Sequence, residues 1–246
     1  MGALFAVLSG KGGTGKTSVC AGIAVALAEE GNRVLCIDCD VGLRNLDISL
    51  GITDTDALSF LDISEGGYSL EQASCHRTYP NLFFLTAPMN RAVEQIDGAA
   101  FREMLRHARQ KFDYIFLDAP AGVDAGFRLV AGAADRFLLV TGSGPAAVRD
   151  AARVGDLLEL MGKQDVRLIV NRVDRDLLST VRLTIDDVMD SAGLPLIGIV
   201  PEDPYVTLAA AFGQPLLKYA KRCPAAKAYR RIARRVQGYH EPIPFK

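Results

Sequence analysis

Two lysines share one glycine-rich octapeptide, Gly10-Lys11-Gly12-Gly13-Thr14-Gly15-Lys16-Thr17, which satisfies the spacing G-x-x-x-x-G-K-[ST]. The glycines allow the backbone to curl so that successive N–H groups point at phosphate oxygens. Lys16 then reaches the β and γ phosphates, and the Thr17 hydroxyl falls on Mg²⁺. A helix opening over Lys16, Thr17 and Ser18 adds its positive dipole end to the same anion. The chemistry implied is the binding of a nucleoside polyphosphate. A glycine-rich turn with no ligand is the plainer alternative, and an apolar strand before the loop with a helix after it argues against that. Lys11 is in excess of this chemistry, because a loop of this spacing has no need of a second lysine just after its first glycine.

Carboxylates follow at positions where phosphoryl transfer would use them. Asp38 and Asp40, in Asp38-Cys39-Asp40-Val41-Gly42-Leu43-Arg44-Asn45-Leu46-Asp47, stand where a strand beside the loop ends. There they can hold the waters around Mg²⁺ or orient the attacking water, since positioning and charge neutralisation supply nearly all of this catalysis. As turn formers and caps they would do neither. Tyr114-Ile115-Phe116-Leu117-Asp118 is an apolar strand ending in an acid, which puts the Asp118 charge next to Mg²⁺, and the turn Ala119-Pro120-Ala121-Gly122 is able to move with a γ-phosphate. Asn171, at a later strand end, offers a donor and an acceptor to an adenine edge; a lone Asn in such a place otherwise serves a turn.

Elements to position these groups are readable from periodicity. Short runs rich in Val, Ile, Leu and Phe predict strands over Ala3–Ser9, Arg33–Asp38, Asn81–Thr86, Asp113–Asp118, Arg136–Thr141, Val166–Arg172 and Leu196–Val200. Between them, helical spacing covers Lys16–Glu30, Ala99–Lys111, Ala146–Met161, Ile185–Ala192 and Ala225–Gln237. The alternation predicts an α/β fold, a doubly wound and mostly parallel sheet with helices on both faces, whose ligands sit beyond the carboxyl ends of the strands.

The 246 residues, 49% hydrophobic and 23% charged, suffice for a large core and exclude disorder. No Ser/Pro-rich stretch divides them, so residues 1–246 read as one domain. No apolar run reaches the roughly 18 residues of a membrane span, and Met1–Ser9 lacks a signal-peptide layout, which predicts a cytoplasmic protein. The cysteines at 20, 36, 39, 75 and 223 fit reduced thiols. Cys36 and Cys39 spell C-x-x-C, but strand alternation sends neighbouring side chains to opposite faces and no second pair completes a zinc site.

Charge is unevenly distributed. From Lys218 onward there are nine basic residues and one acid, Glu241, a balance of +8; the net −1 of the chain therefore leaves −9 on residues 1–217. In the last helix, about 224–237, Ala225, Tyr229, Ile232 and Val236 recur at intervals of four, three and four, with Lys227, Arg230, Arg231, Arg234 and Arg235 on the remaining face. This predicts an apolar stripe docked on the domain and a solvated basic face. That face could touch anionic lipid weakly; contact with DNA phosphates is less expected, because no recognition motif or aromatic platform accompanies it.

Lys11-Gly-Gly-Thr-Gly-Lys16-Thr17 resembles the deviant Walker A loop of the MinD/ParA family of ATPases. The stretch D-x-D-x-G-L-R-N-L-D and the D-x-P-A-G after the fourth strand are closer to the MinD branch than to plasmid-partition relatives. The likeness runs from Ser9 to Gln237 and includes Ala147-Val148-Arg149-Asp150, where the family has a related S-x-R-D. It implies ATP and Mg²⁺ as ligands, with Thr17, Asp38, Asp40 and Asp118 around the metal and Lys11, Lys16 and Asp40 in catalysis. Asp40 would position the water, and Asp38 and Asn45 would lie in the nucleotide-sensing switch. Asn171, Arg172, Pro201, Glu202 and Asp203 would lie on the purine side. It also implies an ATP-sandwich homodimer, in which Lys11 reaches the partner subunit's nucleotide, and a regulator or division-inhibitor protein as partner. The output would be placement of the division site or another cellular structure. A flagellar-number regulator and a DNA-bound partition ATPase of the same family are the alternatives. A metal-cluster carrier would need paired interfacial cysteines, and the related tyrosine kinases end in a tyrosine cluster that is not seen here.

Two departures qualify the likeness. Gly142-Ser143-Gly144-Pro145 replaces the family's Asn/Thr-Pro-Glu turn, which puts contacts there in doubt. Family members of the MinD type finish in a short amphipathic membrane-targeting helix, whereas Tyr239–Lys246 carries Pro242 and Pro244, which cannot sit inside one.

Overall fold

The computed structural model describes residues 1–52, 56–174 and 184–243. Eight strands form one sheet: β1 (Ala3–Leu8), β2 (Val34–Asp38), β3 (Ser74–Cys75), β4 (Leu82–Leu85), β5 (Tyr114–Asp118), β6 (Arg136–Thr141), β7 (Asp165–Val173) and β8 (Leu196–Pro201). Their order is β3-β4-β2-β5-β1-β6-β7-β8, parallel throughout except for the two-residue edge strand β3. The seven strands expected from composition are present, and β3 is additional.

The helices are α1 (Lys16–Glu29), α2 (Leu46–Leu50), α3 (Phe60–Ser64), α4 (Gly98–Lys111), α5 (Ala125–Ala133), α6 (Pro145–Leu160), α7 (Ile185–Ala192), α8 (Pro204–Ala211), α9 (Leu216–Tyr219) and α10 (Pro224–Val236). Helices α3 to α7 cover one face of the sheet, and α1, α2, α8, α9 and α10 cover the other. Strand alternation sorts the side chains between two cores: Leu4, Ala6 and Leu8 of β1 face the first, and Phe5 and Val7 the second. Cys36 and Cys39 likewise separate onto opposite faces. Cys20 and Cys223 are buried as well, and Cys75 is exposed.

Helix α1 is buried almost all round, because the sheet lies under it and α10 lies over it. The apolar stripe of α10, Ala225, Tyr229, Ile232 and Val236, is wholly inside. It approaches closely through two glycines: a Cβ at Gly22 would meet Tyr229 Cδ2 at 2.2 Å, and one at Gly198 would meet Ile232 Cγ1 at 2.3 Å. Because the Tyr229 ring is itself buried and cannot swing away, Gly22→Val is expected to overpack this seam and cost about 1–3 kcal/mol, read as a lower midpoint in chemical denaturation.

The basic face of α10 is less solvated than its sequence suggests. Arg230 pairs with Glu29, Arg234 with Glu241, and Arg235 donates to the carbonyls of Ile197, Glu241 and Pro242. Lys227 and Arg231 remain exposed. The segment after α10 is irregular through Ile243, and the end of the proline-containing tail, 244–246, lies outside the described residues.

Candidate functional site: a phosphate-accepting cleft

Strand β1 lies mid-sheet between β5 and β6, so the loop that leaves its carboxyl end opens at the centre of the sheet edge. Gly13 and Gly15 take left-handed backbone, φ 80° and 81°, which glycine adopts without strain. A Cβ at Gly15 would lie 2.3 Å from Asn171 Nδ2 and one at Gly10 2.7 Å from Asp150 Cβ, so the loop sits against β7 on one side and α6 on the other. Residues 9 and 11–18, with Asp40, Leu43, Asn45, Ile48, Ser49 and Ala121, line a cleft of about 450 Å³.

Register places the acids. Asp38 and Asp118 are direct neighbours at the ends of β2 and β5, and Asp118 also pairs with Val7 of β1, just before the loop. Lys16 Nζ donates to Asp118 Oδ1 at 2.5 Å and lies 3.5 Å from Thr17 Oγ1. Burial alone would lower the Lys16 ammonium. The charge and hydrogen bond of Asp118 overcome this and hold its pKa above the ordinary lysine value.

Asp38 Oδ1 accepts the Asp40 N–H, and Oδ2 accepts those of Asn45 and Leu46. Burial, and then the Asp118 charge, push Asp38 up to about 6 against the pull of those three amides. Its structural task is thus to fold the turn that carries Asp40. Asp40 is half-buried on the cleft wall; burial raises its pKa, Lys16 opposes this, and Asp118 adds to it. Lys11 lies on the rim of the cleft, with Nζ 4.0 Å from Asp150 Oδ2 and both side chains nearly half exposed.

Of the residues expected on the purine side, Asn171 Nδ2 donates to the Thr14 carbonyl and Arg172 Nη1 to the Gly13 carbonyl. Arg172 also pairs with Glu202, the residue after Pro201. Asp203 is differently employed. Its Oδ1 accepts from Tyr205 N–H and its Oδ2 from Ala225 N–H, so both oxygens cap helix starts, α8 and α10, rather than turning to a ligand. Sequence reasoning did not foresee this double cap. Nor did it foresee Asp150 as the partner of Lys11, or the exposed apolar residues Leu43 and Ile48 at the cleft mouth.

The residues fit a polyphosphate. Among the described residues, no acceptor pairs with the backbone N–H groups of Gly12 to Ser18, and Thr14 Oγ1 is buried without a partner. They also fit a divalent cation held mainly by phosphate and water. Thr17 and Asp118 flank Lys16, and no cluster of three or more His, Cys, Asp or Glu among the described residues forms an all-protein cage, which is how Mg²⁺ is usually bound beside phosphates.

A loop of unpaired amides between a central parallel strand and a helix, with a buried lysine facing acids on the next strands, defines a nucleotide-binding α/β protein. The chain belongs to the CobQ/CobB/MinD/ParA nucleotide-binding family, whose profile matches residues 5–216. It is similar to the septum site-determining protein MinD of Synechocystis sp., at 36% identity over all of this chain and 92% of that one. Among solved structures it resembles a MinC:MinD cell division protein complex from Aquifex aeolicus (TM-score 0.91, 33% identity, 98% of each chain). It also resembles MinD complexed with Mg-ADP from Pyrococcus horikoshii (TM-score 0.84, 30% identity, 96% of each chain).

Proposed function

We propose that residues 1–246 act as one Mg-ATP-dependent ATPase switch of the MinD type, positioning the division site from the cytoplasm. The observation that carries this reading is the cleft itself. Unpaired amides and a buried Lys16 face Asp118 and Asp40, within a chain alike over its whole length to septum site-determining proteins. ATP and Mg²⁺ come from the Mg-ADP complex of the Pyrococcus relative, and a MinC-like division-inhibitor partner from the Aquifex complex.

The loop amides and Lys16 would bind the phosphates. Thr17, Asp118 and Asp38 would hold the cation through oxygen or water, which supplies charge neutralisation at the transferring phosphoryl group. Asp40 would orient the attacking water. ATP would favour a dimer because Lys11 and the switch turns gain contacts to the γ-phosphate that the diphosphate cannot offer, and a ligand shifts an equilibrium only by such differential affinity.

Lys11 tests the dimer. Its place on the rim of the cleft, near Asp150 and nearly half exposed, leaves it open to a neighbouring subunit. Sedimentation with Mg-ATP should give a dimer for the wild type and a monomer for Lys11→Ala, with monomeric ADP affinity unchanged. A Lys11→Ala protein that dimerises and turns over normally makes Lys11 a bystander.

Membrane contact in this reading is weak and electrostatic. The apolar stripe of α10 is already buried, and several of its arginines are engaged internally. Among the described residues, no helix is long and apolar enough to cross a membrane. Co-sedimentation with anionic vesicles in the presence of ATP should be feeble and vanish by about 0.3 M salt. Tight, salt-resistant attachment would overturn this part of the reading.

A further inference from the structure

Asn171 and Arg172 are consecutive residues near the carboxyl end of β7, yet both side chains grip the same loop. Asn171 Nδ2 donates to the Thr14 carbonyl at 2.7 Å and Arg172 Nη1 to the Gly13 carbonyl at 3.2 Å. In a regular strand successive side chains leave by opposite faces, so this arrangement needs a kink. Arg172 supplies it: at φ 57° it is the one non-glycine residue with positive φ among the described residues. The pairing of β7 with β8 also shifts register between Val170 and Val173.

An arginine in left-handed backbone is strained by its own Cβ. Such strain persists where the surroundings over-determine it, and it gathers at functional sites. Here the surroundings are specific. The Glu202 carboxylate accepts from Arg172 Nε at 2.8 Å and from Nη2 at 3.3 Å. Glu202 is held in turn by its own N–H on the Val173 carbonyl and by its neighbour Asp203, which is anchored to the starts of α8 and α10. Both members of the Arg172–Glu202 pair are about half exposed, so the pair adds little stability by itself. Its effect is on geometry.

The two gripped carbonyls belong to successive peptides. A trans peptide is planar, and its C=O and N–H point in opposite directions. Drawing the carbonyls of Gly13 and Thr14 towards β7 therefore turns the N–H groups of Thr14 and Gly15 away from β7. Those are two of the amides without a protein acceptor. We infer that Arg172, working with Asn171 and braced by Glu202, is a positioning residue for the phosphate loop: it holds two adjacent peptides so that their N–H groups are aimed at the polyphosphate before it arrives. Donors fixed in advance need no reorganisation when charge arrives. The role differs from a contact to the purine, and it rests on the nucleotide reading given above.

Calorimetric titration of the full chain with Mg-ADP and Mg-IDP, which differ only in the base, tests it. Arg172→Gly suits the left-handed backbone while deleting the guanidinium, so it should bind both diphosphates about tenfold more weakly, by the same factor. The Tm of the unliganded protein should not fall, because glycine releases the strain. Arg172→Lys keeps the charge but not the fork and should lose affinity too; Glu202→Gln should lose less. Unchanged ADP affinity in Arg172→Gly overturns the proposal, as does a loss that differs between ADP and IDP, which would mean that the guanidinium reads the base. Failure of the wild-type protein to bind either diphosphate would refute the nucleotide reading and this proposal with it.

Discussion

Lys16→Ala is expected to abolish nucleotide binding and to lower stability at the same time. Lys16 is 7% exposed and its ammonium lies against Asp118, itself 1% exposed, with Asp38 one strand away in register. Removing it takes away the cation that faces the β and γ phosphates and leaves acids crowded at the place where further negative charge must arrive. Breaking a buried pair by deleting one partner costs about 3–5 kcal/mol. Calorimetry with Mg-ADP should give no binding heat, and chemical denaturation should give an earlier midpoint. Undiminished ADP affinity in a folded variant would sink the assignment of this loop to phosphate.

Asp40→Ala should do the reverse: bind ATP normally, lose turnover by roughly a hundredfold or more, and accumulate the loaded dimer. Water positioning acts on the chemical step more than on the ground state. Asp38 is a poor substitute, since its carboxylate is fixed by the N–H groups of Asp40, Asn45 and Leu46 and is 1% exposed. Single-turnover phosphate release beside equilibrium ATP binding separates the two effects. A normal hydrolysis rate in this variant would remove Asp40 from the mechanism.

What could be read from the amino-acid order was whatever is set locally. The loop from Gly10 to Thr17 depends on glycine at fixed positions, and seven strands and five helices announce themselves by apolar runs or a helical period. Helices α2 and α3 have five residues each, too few for a period to register. In α5, Gly126 and Gly132 imitate a loop, though Gly126 is glycine because a Cβ would meet Pro120 Cγ at 2.4 Å. The site features that escaped notice depend on partners far along the chain. Asp203 before Pro204 is a local cap signal for α8, but nothing near it indicates that its other oxygen caps α10. Nothing near Arg230 points to Glu29. The 4-3-4 spacing in α10 told which side is buried, but the fate of its arginines required knowing what stands opposite.

The docking of α10 on α1 has a consequence for how the protein is made. The helix that carries the phosphate loop is synthesised roughly two hundred residues before the helix that covers it. Until α10 leaves the ribosome, Gly22 and the apolar residues around it lack their lid. A nascent chain held short of Pro224 should therefore present an uncovered apolar surface on α1, and the contact that closes it joins residues 201 positions apart, such as Glu29 and Arg230. The face of α1 that Tyr229 covers is thus closed only by a segment some two hundred residues further along the chain.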